Sequence, residues 1–405
     1  MKNNKFIFEN NIYPKYLNKK LSNKFYKKYF KIEKEVTAQI DEPENVYNIL
    51  SKKFRLSFKI KDLQKFKKYK NIAIIGMGGS VLGSHAIFKF LEKKIKKNLF
   101  FFDNIDYEKA LDFKQQINKK SVLFIVISKS GNTIETISNF FFINKIKKNQ
   151  KNLILISEKK NNALFEISKK YNLFHVEHKH YIGGRYSVLS EVGILPAYLM
   201  GINIFSLRKN LKNFYLSIKG SFLKESSVKV ANIVCHKKLK SLIFLNYSPR
   251  LEKFLYWCQQ LIAESLGKKG KGLMPVISSA PKDHHSALQL YLDGPKDKLF
   301  HIFSLDENVR KKIKIKKVSK YIDYLHNKDL IEIRNAQKEA LIKTFKKNKI
   351  PFRELKIKKY DEETLSQLFS YFILEISIVG KILGINPFDQ PAVEQVKKIT
   401  KINLS

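Results

Sequence analysis

Four short apolar runs, at residues 71–75, 99–102, 122–127 and 153–156, recur between longer stretches with helical character. Strands that alternate with helices at this spacing predict a parallel, doubly wound sheet. The alternation resumes after residue 207. A strand at 242–245 leads into a helix at 251–266, another strand falls at 299–303, and helices follow at 336–345 and 371–383. The last of these is apolar on most faces, so burial is expected. The chain therefore reads as α/β, with two tandem doubly wound parallel-sheet domains and helical extensions at both ends. Residues 1–40 read as an N-terminal arm or helix without a clear strand. Residues 41–205 and 206–360 are the two expected domains, and 361–405 form a C-terminal helical segment. No low-complexity linker separates the domains.

A length of 405 residues suits two domains that each bury a core. No uninterrupted apolar run is long enough to span a bilayer. The start of the chain mixes Lys and Asn with Phe and Tyr and lacks a signal-peptide apolar region, so a cytoplasmic protein is expected. Cys235 and Cys258 form no metal-spacing motif and read as small core residues in a reducing compartment. The net charge of +42 invites a nucleic-acid reading. The lysines, however, spread over the whole chain, and no zinc-finger or RNA-binding signature accompanies them. A basic surface of this kind attracts anionic substrates, and no specific nucleic-acid partner is expected.

Two loops follow strands where an open α/β sheet binds its ligands. Gly76-Met77-Gly78-Gly79-Ser80 offers close backbone approach and one hydroxyl. Ser128-Lys129-Ser130-Gly131-Asn132-Thr133 offers three hydroxyls and an ammonium just before a helix N-terminus, where N–H groups and the helix dipole favour a phosphate. Neither is a P-loop, and the first lacks the third spaced glycine of a dinucleotide site. Each loop alone is compatible with an ordinary tight turn; the two together favour a phosphate site.

Glu264 lies near the end of the 251–266 helix. Ser248 is expected to cap that helix, Pro249 to sit in its first turn, and Gly267 to end it in the left-handed conformation. Gln260, four residues before Glu264, shares its face. The carboxylate is either a charge on a solvated face or a base at the rim of a cleft. Arg185 follows Gly183-Gly184, which lets backbone pass close to a ligand while the guanidinium reaches in. His284-His285 precede Ser286 and a helix, and at most one of them faces any given site. His175, His178 and His180, with Glu177, read as surface polar residues and not as a metal site.

The order of Gly76-Met77-Gly78-Gly79-Ser80-Val81-Leu82-Gly83, Ser128-Lys129-Ser130-Gly131-Asn132-Thr133-Ile134-Glu135-Thr136, Gly183-Gly184-Arg185-Tyr186-Ser187-Val188, Glu264-Ser265-Leu266-Gly267-Lys268, His284-His285-Ser286-Ala287-Leu288-Gln289 and Asp389-Gln390-Pro391-Ala392-Val393-Glu394-Gln395-Val396-Lys397 resembles the phosphoglucose isomerase family. The 128–133 motif also resembles the phosphosugar loop of sugar isomerase domains in general, which include non-catalytic sugar-phosphate sensors. The resemblance implies flavodoxin-like sugar isomerase domains and an aldose–ketose isomerase without metal or organic cofactor. It implies interconversion of glucose 6-phosphate and fructose 6-phosphate through an enediolate.

By position, Gly79, Ser80, Ser128, Lys129, Ser130 and Thr133 match the substrate and phosphate contacts of the family. Glu264 matches the base that moves the C1–C2 proton, and Arg185 the group that offsets enediolate charge. His285 and Lys397 match the ring-opening residues, with His285 reaching the neighbouring active site of a homodimer. Gln260 matches a substrate-positioning glutamine. Leu266 and Pro391 stand where the family usually has asparagine and tryptophan, and Gln395-Val396 where it has Leu-Gly. These departures bear on sugar breadth, mannose 6-phosphate included, more than on reaction type. A sensor needs the loops and has no need of Glu264, His285 and Lys397 together.

Overall fold

Each apolar run of the first half becomes a strand. In the computed structural model, which describes residues 5–117, 121–307, 313–317 and 319–405, ten strands form two sheets. They are β1 (Phe6–Asn11), β2 (Asn71–Ile75), β3 (Asn98–Phe102), β4 (Val122–Ile127), β5 (Leu153–Ser157), β6 (Phe174–Glu177), β7 (Ser241–Asn246), β8 (Met274–Ser279), β9 (Lys298–Leu305) and β10 (Phe352–Ile357).

The first sheet has the order β3-β2-β4-β5-β6, and every pair is parallel. All six residues of β4 are buried, as a central strand covered by helices on both faces requires. From β2 the chain steps to β3 on one side and to β4 on the other. The loops after β2 and β4 therefore flank the point where the winding reverses, and ligands enter such sheets there. These are the 76–80 and 128–133 loops.

The second sheet has the order β1-β10-β9-β7-β8. Four of its strands are parallel, but the edge strand β1 runs antiparallel to β10, Phe6 opposite Ile357 and Asn11 opposite Phe352. This corrects the expectation of a strandless N-terminal arm. Phe6 and Phe8 alternate into the core, where Phe8 packs on Phe222 and Tyr371, and that burial fixes the register. Residues 1–4 of the expected arm lie outside the described residues; the rest holds a 3-10 turn, Pro14–Tyr16, and the helix Lys19–Gln39, with Phe25, Tyr29, Ile32 and Val36 buried at helical spacing.

The helix Glu362–Leu383 is long and apolar enough to cross a membrane by length and composition, yet almost all of it is buried in the protein. Its Phe369 and Phe372 pack against Phe254 and Trp257 of the helix Glu252–Leu266. Inside it Glu375 pairs with the buried Arg353 of β10 at 2.9 Å, and each charge compensates the other. The core thus clamps the helix that carries Glu264.

Candidate active site

The helix Glu252–Leu266 begins after a short 3-10 turn, Pro249–Leu251, and projects Gln260 and Glu264 from one face. Its ends differ from expectation. The Ser248 hydroxyl does not cap the turn but points to Glu307, at 3.5 Å. Gly267 has φ −74° and is not left-handed. Its lack of a side chain matters for another reason: a Cβ there would lie 2.5 Å from the Ala263 carbonyl oxygen, which accepts the Gly267 N–H at 2.9 Å.

Both Glu264 carboxylate oxygens are occupied. Gln260 Nε2 donates to Oε1 at 2.9 Å, and Arg185 Nη1 donates to Oε2 at 3.1 Å. Arg185 is 2% exposed. Its Nε donates to Ser265 Oγ at 2.8 Å, and Nη1 also reaches Gln390 Oε1 at 3.2 Å. Nη2 donates to the carbonyls of Pro387 at 2.6 Å and Asp389 at 3.0 Å. All the donors of the guanidinium fork are used, so its plane and position are fixed before any ligand arrives.

Glycines bring this pair to the first sheet. Gly79 and Gly184 touch backbone to backbone, so that a Cβ on Gly79 would stand 2.1 Å from the Gly184 carbonyl carbon. Gly78, at φ +51°, lies against Gln260; a Cβ there would meet Gln260 Nε2 at 2.6 Å. The Gly79 backbone is thus a packing surface for the turn Gly184–Leu189, while the neighbouring Ser80 is buried with it. Gln260 Oε1 is buried and accepts no hydrogen bond among the described residues.

One strand over, the second loop gathers its hydroxyls. Ser128 Oγ and Thr133 Oγ1 are 2.8 Å apart, and Ser130 Oγ is 3.5 Å from each. The helix Ile134–Ile143 starts directly behind them. Lys129 Nζ donates to the His180 carbonyl at 2.7 Å and lies 3.7 Å from Glu158. Burial holds the Lys129 ammonium below the usual lysine range, partly offset by Glu158. Residues 180–185 link the two centres, from the carbonyl that holds Lys129 to Arg185.

The two remaining candidates lie elsewhere in the chain. His285 is exposed on the turn Lys282–His285, and its ring makes no hydrogen bond or ion pair among the described residues. Its neighbour His284 is bound to Tyr247 Oη at 2.7 Å. Lys397 is exposed on the terminal helix Glu394–Leu404 and pairs with Glu394 at 2.7 Å. The structure therefore assembles Glu264, Arg185, Gln260 and the two loops, and does not bring His285 or Lys397 to them.

Several site residues escaped the sequence reading. Ser265 and Tyr186 orient Arg185: the Tyr186 hydroxyl bonds Ser265 Oγ at 2.8 Å and the Pro387 carbonyl at 3.0 Å, and burial raises its phenol. Lys268 pins the 386–389 segment through Asp389, whose carboxyl its hydrogen bond holds low. Ser265 and Lys268 belong to the Glu264 motif, so they were within reach. Of the histidines expected at the surface, His180 is exposed and the other two differ. His178 is buried, and that burial lowers it to about 4; His175 bonds Ser157 Oγ at 2.9 Å and is likewise lowered to about 4. Among the described residues no group of three metal-ligating side chains gathers.

A family model described as phosphoglucose isomerase matches residues 33–274. The chain belongs to the phosphoglucose isomerase family. It is 36% identical to the probable glucose-6-phosphate isomerase of Methanococcus maripaludis over 347 residues, covering 82% of this chain and 78% of the relative. It is 30% identical to the glucose-6-phosphate isomerase of Methanocaldococcus jannaschii, covering 84% of this chain and 86% of the relative. Among solved structures, a hypothetical protein from Thermus thermophilus superposes with a TM-score of 0.83 at 22% identity, over 99% of this chain and 100% of that one. A glucose-6-phosphate isomerase from Chlamydia trachomatis gives 0.69 at 19% identity, over 84% and 71%. Both share the fold of this isomerase family member.

Proposed function

We propose that this chain interconverts glucose 6-phosphate and fructose 6-phosphate in the cytoplasm, as a step of glycolysis and gluconeogenesis. The observation that carries the reading is the Arg185–Glu264 pair at 3.1 Å, held by Gln260 and Ser265. One positioned carboxylate suffices to take a proton from a carbon beside a carbonyl and return it one carbon away. Glu264 removes the C2 proton of the open-chain aldose. The electron pair moves into a C1–C2 double bond and onto the C1 oxygen, giving the enediolate. The C2 hydroxyl proton passes to the C1 oxygen, Glu264 returns its proton to C1, and the C2 oxygen becomes the ketose carbonyl while C1 becomes the alcohol. Arg185 offsets the charge that builds on oxygen, where a fixed cation is worth most. Gln260, which holds Glu264 Oε1 at 2.9 Å, positions the substrate beside that carboxylate.

Ser128, Ser130, Thr133 and Lys129 hold the phosphate, with Ser80 beside them. The phosphate lies far from the reacting carbons, so its binding energy serves to hold the sugar in place. The mechanism assigns no step to a metal or organic cofactor.

The working unit in this reading is a homodimer. His285 stands exposed on the turn after the edge strand β8, and the flanking elements expose the apolar side chains Tyr256, Met274, Val276 and Leu290. Covering that face with a second copy buries them and carries His285 toward the neighbouring site for ring opening. Lys397 assists ring opening once the terminal helix, whose Val396, Ile399 and Ile402 are exposed, is docked.

The test is a coupled assay of fructose 6-phosphate turnover, repeated with mannose 6-phosphate to measure breadth. Glu264→Gln is expected to lower kcat by about a hundredfold or more while phosphosugar binding persists. Near-normal turnover in that variant would remove Glu264 from the role of base.

A further inference from the structure

The 128–133 loop does not hold its shape alone. It lies against the turn that follows β5, residues 158–163, and several bonds tie the two together. The Glu158 N–H donates to the Lys129 carbonyl at 3.1 Å, and the Leu164 N–H to the Gly131 carbonyl at 3.2 Å. The Ala163 N–H donates to Asn132 Oδ1 at 2.9 Å. A further tie is steric. Gly131, at φ +68°, sits so close to Asn162 that a Cβ would stand 1.7 Å from Asn162 Oδ1.

Asn162 is itself locked. It is 3% exposed, and its Nδ2 donates to the carbonyls of Glu158 at 2.8 Å and Lys160 at 2.9 Å. Its Oδ1 accepts the Phe165 N–H at 3.0 Å and so caps the helix Ala163–Lys170. The face that Gly131 rests on therefore cannot shift without breaking these bonds.

Glu158 acts on the charge. Its side chain is 8% exposed and sits between two ammonium groups, 3.7 Å from Lys129 and in contact with Lys160. Lys160 offsets the carboxylate, so Glu158 does not cancel the cation it holds. With the His180 carbonyl as a second anchor, the Lys129 ammonium has a fixed place. A charge that is placed in advance loses less entropy when an anion binds.

The geometry points to Glu158 and Asn162 as positioning residues for the phosphate of the substrate: Asn162 sets the backbone path of the hydroxyl loop, and Glu158 sets where the Lys129 ammonium stands. This assignment rests on the reading that the loop holds the phosphate. It goes beyond that reading by naming two residues that lie behind the loop.

The test compares Glu158→Gln, Asn162→Ala and the loop double variant Ser130→Ala with Thr133→Ala in the full-length enzyme. Three quantities are read: kcat, KM for fructose 6-phosphate, and the inhibition constant of inorganic phosphate. Glu158→Gln and Asn162→Ala are each expected to raise KM and the phosphate constant by about fivefold or more, with kcat within about twofold, and the loop double variant is expected to raise both constants. A purely structural role would lower kcat as well, and a parallel fall in kcat overturns the assignment. Unchanged phosphate constants in Glu158→Gln and Asn162→Ala, with the loop double variant weakened, overturn the positioning role and leave the loop reading intact. If the double variant is also unchanged, the loop reading itself fails. Should Asn162→Ala not fold, Glu158→Gln decides alone, because it is isosteric and keeps every backbone bond of the turn.

Discussion

Replacing Arg185 by lysine keeps the charge and removes the fork. The guanidinium reaches Ser265, Glu264, Gln390, Pro387 and Asp389 from a site that is 2% exposed. An ammonium has three donors on a single atom and cannot span this set, so at least two acceptors lose their partner. A buried polar group left unpaired costs about 1–3 kcal/mol. The upper end does not apply, because Tyr186 still donates to the Pro387 carbonyl and Lys268 to the Asp389 carbonyl. Ser265 likewise keeps the Tyr186 hydroxyl, so the loss falls mainly on the Glu264–Gln390 side and a stability cost of about 1–2 kcal/mol is expected. The catalytic loss is larger. A charge-stabilising donor moved off its position lowers kcat by about 10²–10³-fold. Urea unfolding and the coupled isomerase assay on Arg185→Lys measure the two effects. An unchanged unfolding midpoint would contradict the account of a fully engaged fork. A kcat within about threefold of the parent would show that a point charge suffices and that the fork does not serve the enediolate.

Subunit mixing tests assembly: heterodimers of Glu264→Gln and His285→Ala chains are expected to regain activity, since one of the two shared sites then holds both intact residues. No rescue in verified heterodimers would confine His285 to its own chain. Burial holds His178 and His175 at about 4, below the ordinary value of 6.5, so the unfolded chain binds protons more readily than the folded one. The associated stability is present above about pH 6.5 and is lost as the pH falls toward 4, by about 3 kcal/mol for His178. His178→Gln is expected to flatten that part of the unfolding profile; a profile identical to the parent's would remove His178 as its source. Burial lowers Lys129, so its ammonium is lost at lower pH than an ordinary lysine's. KM for the phosphosugar is therefore expected to rise on the alkaline side while kcat holds, and Lys129→Arg is expected to abolish that rise.

What could be read from the sequence was local. The strands β2, β4 and β5 are short, apolar and buried, and the two candidate loops follow β2 and β4 directly. Gln260 and Glu264 share a helix face by spacing alone, and their side chains meet at 2.9 Å. The strands that went unread lack this regularity. In β10 the buried Arg353 interrupts the apolar pattern, and its burial depends on Glu375 from a distant helix. In β8, Pro275 is buried while Met274 and Val276 face out, the reverse of a hydrophobic-in pattern. In β1 only Phe6 and Phe8 carry the signal, and without Phe222 and Tyr371 opposite they have nothing to register against.

The site divides along the same line. Arg185 takes its orientation from residues 387–390, some two hundred positions along the chain, and no spacing rule links them. Glycine shows the distinction most clearly. Gly79 was read as a backbone approach to ligand, yet its missing side chain is already required by Gly184, and Gly131's by Asn162. A glycine-rich motif therefore reports a close approach without saying what approaches. His285 and Lys397 mark the opposite case. Their residue types and order are fixed in the sequence, but folding one chain leaves both exposed on separate elements. In the proposed dimer, assembly and docking of the terminal helix would bring them to a site. For these two residues subunit mixing carries more weight than any single-chain substitution, because loss of activity in His285→Ala alone would not say which site had lost the ring.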